Sequence, residues 1–335
     1  MKVLFDHPNP FLLAHGGFQI QIEQTKEALE KIGVEVEYLQ WSDPNQPGTL
    51  IHFFGRPPAS YLEFAHAKSI RVVMTELLGG LAARPAMARA AQRALIWTSQ
   101  RILPKSFTAK LAWESYKIAD AIIALTRYEA GLMTRMFGAD SARIHVVPNG
   151  VETAFFESTV AERGKWLICT ATITERKRVL ETSQAAIQAG TPLWIVGKPY
   201  ADSDPYFQKF CDLCSGNSQV LRYEGAIEDR KQLAKAYREA RGFVLLSSME
   251  SLSLSALEAA ACECSLLLSD LPWAQSVFEG NATYCPIAST QRTSKVLREF
   301  YDAAPNLKPP AKPLSWHEVA LQLKAIYDRL CSTSL

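Results

Sequence analysis

Residues 243–270 read FVLLSSMESLSLSALEAAACECSLLLSD. Phe243–Leu246 is an apolar run, short and β-rich enough for a buried strand. Ser247 and Ser248 punctuate it, Glu250 follows, and 251–255 form a polar loop. Ala256–Ala261 reads as a helix that carries Glu258, and Leu266–Leu268 as the next strand. A loop between a strand and a helix N-terminus presents free amide donors and a partial positive charge, which suits a phosphate. If the whole span were helical, Glu250 and Glu258 would stand ~12 Å apart, about the reach from a ribose across a diphosphate to a sugar. A carboxylate accepts through two oxygens and can grip a vicinal diol. Glu258 lies among Ala and Leu, a poor setting for a solvated side chain.

The same unit recurs along the chain. Strands are expected at 3–5, 34–39, 50–54, 71–74, 121–125, 144–147, 166–170, 193–196 and 219–223, with helices at 19–32, 179–189 and 229–240 between some of them. Such alternation argues an α/β chain with doubly wound parallel sheets, whose ligands sit at the carboxyl ends of strands. Val147-Pro148-Asn149-Gly150 makes a turn or hinge on physical grounds. Asn281–Thr290 gives no strong signal.

The central stretch resembles the E-x7-E segment of glycosyltransferase family 4, the retaining GT-B enzymes, through Glu250, Leu254, Leu257, Glu258, Ala259, Ala261, Cys262, Ser269 and Asp270. Ser251, Ser253 and Glu263 stand where that family has glycines. The resemblance continues in order: a Gly16-Gly17 turn after Ala14-His15, Gly33-Val34-Glu35-Val36, Thr126-Arg127-Tyr128-Glu129, the hinge, and a closing helix from Trp316.

The resemblance implies two Rossmann-like domains facing a cleft, residues 1–148 on the acceptor side and 149–315 holding the nucleotide sugar. The helix 316–332 would pack back on the first. It implies a retaining hexosyl transfer from a nucleotide-diphosphate sugar to a glycan, lipid-linked or small-molecule acceptor, in polysaccharide or glycoconjugate synthesis, without metal or cofactor. Glu250 would face the sugar and Glu258 the ribose. The amides of Leu252, Ser253 and Leu254 would approach the diphosphate, and Lys177 would neutralise it. Gly197, Ala226 and Ile227 would hold the base. Gly16, Gly17 and Glu76 would line the acceptor side, Glu76 standing where the family commonly has a His. The family's other cation, an arginine, falls on Thr172, so Arg176 or Arg178 would have to replace it. The alternative is a degenerate GT-B protein that binds a sugar nucleotide or partner without transfer.

At 335 residues the chain can build two cores. Its net charge of +2 does not suggest a nucleic-acid partner. No apolar run reaches the ~20 residues of a membrane span, and the N-terminus reads as a first strand rather than a signal peptide. Seven cysteines, an odd number without a secretory signal, suit reduced thiols in a cytosol. Cys211-x-x-Cys214 and Cys262-x-Cys264 lack zinc-knuckle spacing. Residues 84–143 hold ten basic and four acidic residues, so this segment carries +6 and the remainder −4. Arg89, Arg93, Trp97 and Arg101 recur every four residues, a stripe suited to anionic headgroups or a phosphorylated acceptor. The expected location is cytoplasmic, with peripheral contact at the inner membrane face.

Overall fold

The computed structural model describes all residues except 9, 12–15, 105–111, 158–161, 288 and 333–335. Ala14, His15, Lys105 and Lys110 therefore lie outside the described residues. The chain forms two compact units, Met1–Asn149 with Trp316–Leu335, and Gly150–Ser315.

In the first unit the chain runs β1 (Lys2–Asp6), α1 (Gly17–Lys31), β2 (Glu35–Tyr38), β3 (Leu50–Phe54), α2 (Ala59–Ala67) and β4 (Arg71–Thr75). It continues through α3 (Gly79–Ala82), α4 (Ala86–Ile102), α5 (Ser115–Ile118), β5 (Ala121–Ala124), α6 (Arg127–Phe137) and β6 (Ile144–Val146). The six strands are parallel in the order β2-β1-β3-β4-β5-β6. Strands β3 (LIHFF) and β5 (AIIA) are buried throughout, as a parallel sheet covered on both faces requires. Leu4, Ile51, Phe53, Val72, Met74 and Ile122 form the centre of one core. Helix α6 begins where the Thr126 hydroxyl accepts from the Glu129 amide at 3.1 Å and ends on left-handed Gly138.

The second unit runs β7 (Leu167–Thr170), α7 (Val179–Ala189), β8 (Leu193–Val196), α8 (Pro205–Ser215), β9 (Leu221–Tyr223), α9 (Arg230–Glu239) and β10 (Gly242–Leu245). It closes with α10 (Leu254–Ala261), β11 (Leu266–Ser269), α11 (Pro272–Phe278), β12 (Thr283–Cys285) and α12 (Thr290–Ala303). Its parallel sheet has the order β12-β11-β10-β7-β8-β9. Helix α13 (Trp316–Ser332) belongs to the first unit and packs on α1. Two parallel six-stranded sheets with flanking helices are the GT-B pattern.

Three local expectations change. The stretch 281–290 contains β12, a three-residue edge strand too short to leave a periodic pattern. Asp229 lies outside α9 as its cap, its carboxylate accepting from the Gln232 amide at 2.9 Å. Helix α10 starts at Leu254, two residues early, because the Ser253 hydroxyl caps it by accepting from the Ala256 amide at 3.4 Å. Glu250 thus lies outside the helix, and the ~12 Å separation built on a continuous helical rise does not apply. Among the described residues, no helix is long and apolar enough to cross a membrane.

Candidate functional site

The topology selects one end of each sheet. A doubly wound sheet opens a crevice at the carboxyl ends of the two strands where its order reverses. In the second unit those strands are β7 and β10, which pair directly. The loop after β7 carries Arg176 and Lys177, and the loop after β10 carries Glu250.

The two loops are tied together. The Ser248 amide and hydroxyl both donate to the Arg176 carbonyl, at 2.8 and 3.1 Å. The Lys177 ammonium lies 2.5 Å from a Glu250 carboxylate oxygen, and Arg176 donates to the same oxygen at 3.1 Å and to the Met249 carbonyl at 3.0 Å. Glu250 is 9% exposed. A carboxylate here gathers two cations just ahead of the α10 N-terminus, itself a partial positive charge. Arg176 is therefore the cation beside Lys177, while Thr172 offers none. Nearby, burial pushes the Cys169 thiol up to about 12, partly offset by Lys177, so it is a neutral core side chain.

Of the amides assigned to a diphosphate, Leu252 and Ser253 sit in buried residues before the helix and Leu254 opens its first turn. The lost glycines have different consequences. Ser253 becomes the helix cap. Glu263, just past α10, adopts a left-handed φ of 57°, a conformation that glycine takes without strain and that Glu holds here with Lys312 at 3.1 Å from its carboxylate.

Glu258 is 6% exposed and both its oxygens are engaged. Arg230 donates to one at 2.5 Å and the Tyr237 hydroxyl to the other at 3.1 Å. Tyr237 also bonds Thr170, the last residue of β7. Arg230 reaches the Glu152 carboxylate at 2.7 Å through its Nε, and its guanidinium lies 4.8 Å over the Phe155 ring. Burial pushes the Glu258 carboxyl up and Arg230 pulls it down, leaving it above the usual range. Burial likewise raises Tyr237, with Glu258 adding to the effect.

On the flank of this site, the Gly197 amide donates to the Gly225 carbonyl at 3.0 Å, joining the loops after β8 and β9. Gly197 has φ 155°, and a Cβ there would meet the Ala171 carbonyl oxygen at 1.9 Å, so only glycine fits. Ala226 is exposed and Ile227 half-buried in the second loop.

In the first unit, Gly16 precedes α1 with φ 137°, and Gly17 is its first residue. Glu76 follows β4 and is no solvated loop carboxylate. It accepts from the Tyr116 hydroxyl and lies 3.5 Å from Arg56, whose guanidinium sits beside the stacked Tyr116 and Phe137 rings, 5.9 and 5.7 Å from their centres. Burial raises the Glu76 carboxyl, opposed by Arg56 and Tyr116.

Arg230, Tyr237, Glu152, Arg56 and Tyr116 escape a sequence reading. Each looks like a surface charge or core aromatic until its partner is known. Among the described residues no group of three or more His, Cys, Asp and Glu side chains could hold a metal ion, and every cysteine is free.

Comparison with known proteins gives a family match over part of the chain and a fold over nearly all of it. Residues 15–155 match the family described as Glycosyltransferase Family 4. No curated protein matches the sequence. Sucrose-phosphate synthase from Thermosynechococcus elongatus superposes with a TM-score of 0.68 at 17% identity, covering 99% of each chain. HepE from Anabaena, solved in complex with UDP, gives 0.65 at 13% identity over 98% of this chain and 100% of its own. WaaG, a glycosyltransferase involved in lipopolysaccharide biosynthesis, gives 0.59 at 14% over 96% and 94%. At these identities the likeness establishes the fold. The chain is thus a GT-B protein that resembles Glycosyltransferase Family 4, by sequence across residues 15–155 and by fold across nearly its whole length.

Proposed function

We propose that the protein is a retaining glycosyltransferase taking a sugar from a nucleotide-diphosphate donor. The observation that carries this reading is the convergence of Lys177 and Arg176 on Glu250 at the switch point of the second sheet. HepE, a protein of the same fold, was solved with UDP and with UDP-glucose, which makes uracil the first base to try.

In this reading the bond between the anomeric carbon and the phosphate oxygen breaks, and its electron pair goes to the diphosphate. Lys177 and Arg176 hold that charge in place of a metal, joined by the α10 N-terminus. The acceptor hydroxyl bonds to the anomeric carbon from the same face, and its proton passes to the released diphosphate. Glu250 steadies positive charge at the anomeric centre, and Glu258 accepts from the ribose through its remaining lone pairs. Gly197, Ala226 and Ile227 hold the base. Gly16, Gly17 and the Arg56–Glu76 pair serve the acceptor. The acceptor is a glycan, a lipid-linked precursor or a small molecule, in cell-surface polysaccharide or glycoconjugate synthesis.

The test is release of nucleoside diphosphate from each common donor, with the product anomer read by NMR. Glu250→Gln and Lys177→Gln are expected to lose about a hundredfold or more in kcat, the effect of removing one preorganised charge. Unchanged turnover in both variants would contradict the assignment. Donor binding without turnover, across acceptors, would favour the degenerate reading.

A further inference from the structure

Helix α4 is built the wrong way round for a protein in water. It spans 17 residues, and Ile96 is its one buried side chain among those described. Ile96 joins the core of the first unit, and α4 packs on α6. The side of α4 turned inward is otherwise polar: Gln92, Ser99 and Gln100 are half-buried. Arg84 donates to Gln92 at 2.6 Å and Lys117 to Gln100 at 3.4 Å.

The outward side is apolar. Met87, Ala91, Ala94, Leu95, Thr98 and Ile102 follow the three-and-four spacing of one helical face, and all are exposed. Met87 is 86% exposed, Leu95 62% and Ile102 74%. A single exposed Leu needs no explanation, but a whole helix face does.

A cationic edge borders this face. Arg93, Trp97 and Arg101 occupy successive turns beside it, with Trp97 57% exposed and the Arg101 guanidinium 3.4 Å over its ring. The helix contains no acidic residue. Arg89, which the four-residue spacing places in the same stripe, does not contribute. Its guanidinium turns back onto the chain and donates to the carbonyls of Ala82, at 3.2 Å, and Arg84.

We infer that the outer face of α4 is a docking surface for an anionic lipid bilayer, with Met87, Leu95 and Ile102 entering the acyl boundary and Arg93, Trp97 and Arg101 lying at the headgroups. An apolar face on a helix with a basic edge and a Trp is what an interfacial helix needs, and charge decides the occupant. A second copy of this chain would set these arginines against each other, whereas an anionic surface complements them. The assignment is independent of the transfer reading, because it concerns a different surface and a different ligand.

The test is sedimentation of the full chain with phosphatidylcholine vesicles, with and without phosphatidylglycerol. Binding is expected only with the anionic lipid and should weaken as salt is raised. Arg93→Gln with Arg101→Gln should weaken it about fivefold per arginine removed. Leu95→Glu with Ile102→Glu should abolish it. These side chains are exposed, so both variants should keep the wild-type Tm and any nucleotide-induced shift, which separates this outcome from failure of the donor site. Failure to bind anionic vesicles, or equal binding by all variants, would overturn the inference. So would a concentration-dependent dimer, lost in Leu95→Glu, from a protein that ignores vesicles.

Discussion

Among single residues, Arg230 holds the least obvious position. It stands between two carboxylates, Glu152 and Glu258, and the second is buried. Removing one partner of such a pair leaves a charge out of water without compensation, which costs more than the pair gains by forming. Arg230→Gln should therefore destabilise the protein by about 2–3 kcal/mol in urea denaturation, an estimate reduced for the partial exposure of the guanidinium. Adding Glu258→Gln should recover part of that loss, since the uncompensated charge is then gone. Additive losses would show that the two side chains are not coupled. Glu258 itself was legible in the sequence, because a Glu in the run LEAAAC has no business in water. Its cation was not, because Arg230 lies 28 positions away and nothing local marks the pairing. Arg176 was legible only as one of two candidates, and the backbone latch from Ser248 decides between them.

For the elements, α13 is held to the first sheet by a buried chain of hydrogen bonds. The Tyr327 hydroxyl meets His52 Nδ1 at 2.6 Å, and His52 Nε2 meets the Thr75 hydroxyl at 2.6 Å, linking the last helix to β3 and β4. Burial lowers the His52 pKa to about 3, from about 6.5 in an unfolded chain. Between those values the unfolded state binds the proton and the folded state does not, so stability rises with pH across the window and levels off above it. The contribution of His52 is fully present above about 6.5 and is lost as pH falls toward 3, at up to about 1.4 kcal/mol per pH unit. Urea midpoints across this range should show that slope in wild type and lose it in His52→Gln. The same slope in both would contradict a neutral, buried His52. A sequence reading found α13 by its apolar spacing. It also found α7 and β8 to the residue, since their ends coincide with changes of periodicity. It missed β12 and read β9 two residues too long, because three-residue edge strands owe their existence to a neighbour rather than to their own pattern.

The whole molecule was legible as alternation: strand, loop, helix, repeated with a Pro-Asn-Gly turn midway, where the two compact units divide. What the alternation cannot give is strand order. Lys177 and Glu250 are 73 positions apart, and they meet because β10 returns to lie beside β7. That crossover turns two unremarkable charged loops into one candidate donor site at the reversal of the sheet. The central claim is that this site binds a nucleotide-diphosphate sugar. Its most direct test is thermal unfolding with UDP-, GDP-, ADP- and TDP-sugars, wild type beside Lys177→Gln. A donor at about a hundred times its Kd should stabilise the wild type by about 2.7 kcal/mol. The account predicts a clear rise in Tm with one base, reduced or lost in the variant. No rise with any donor, or a rise of equal size in Lys177→Gln, would contradict it.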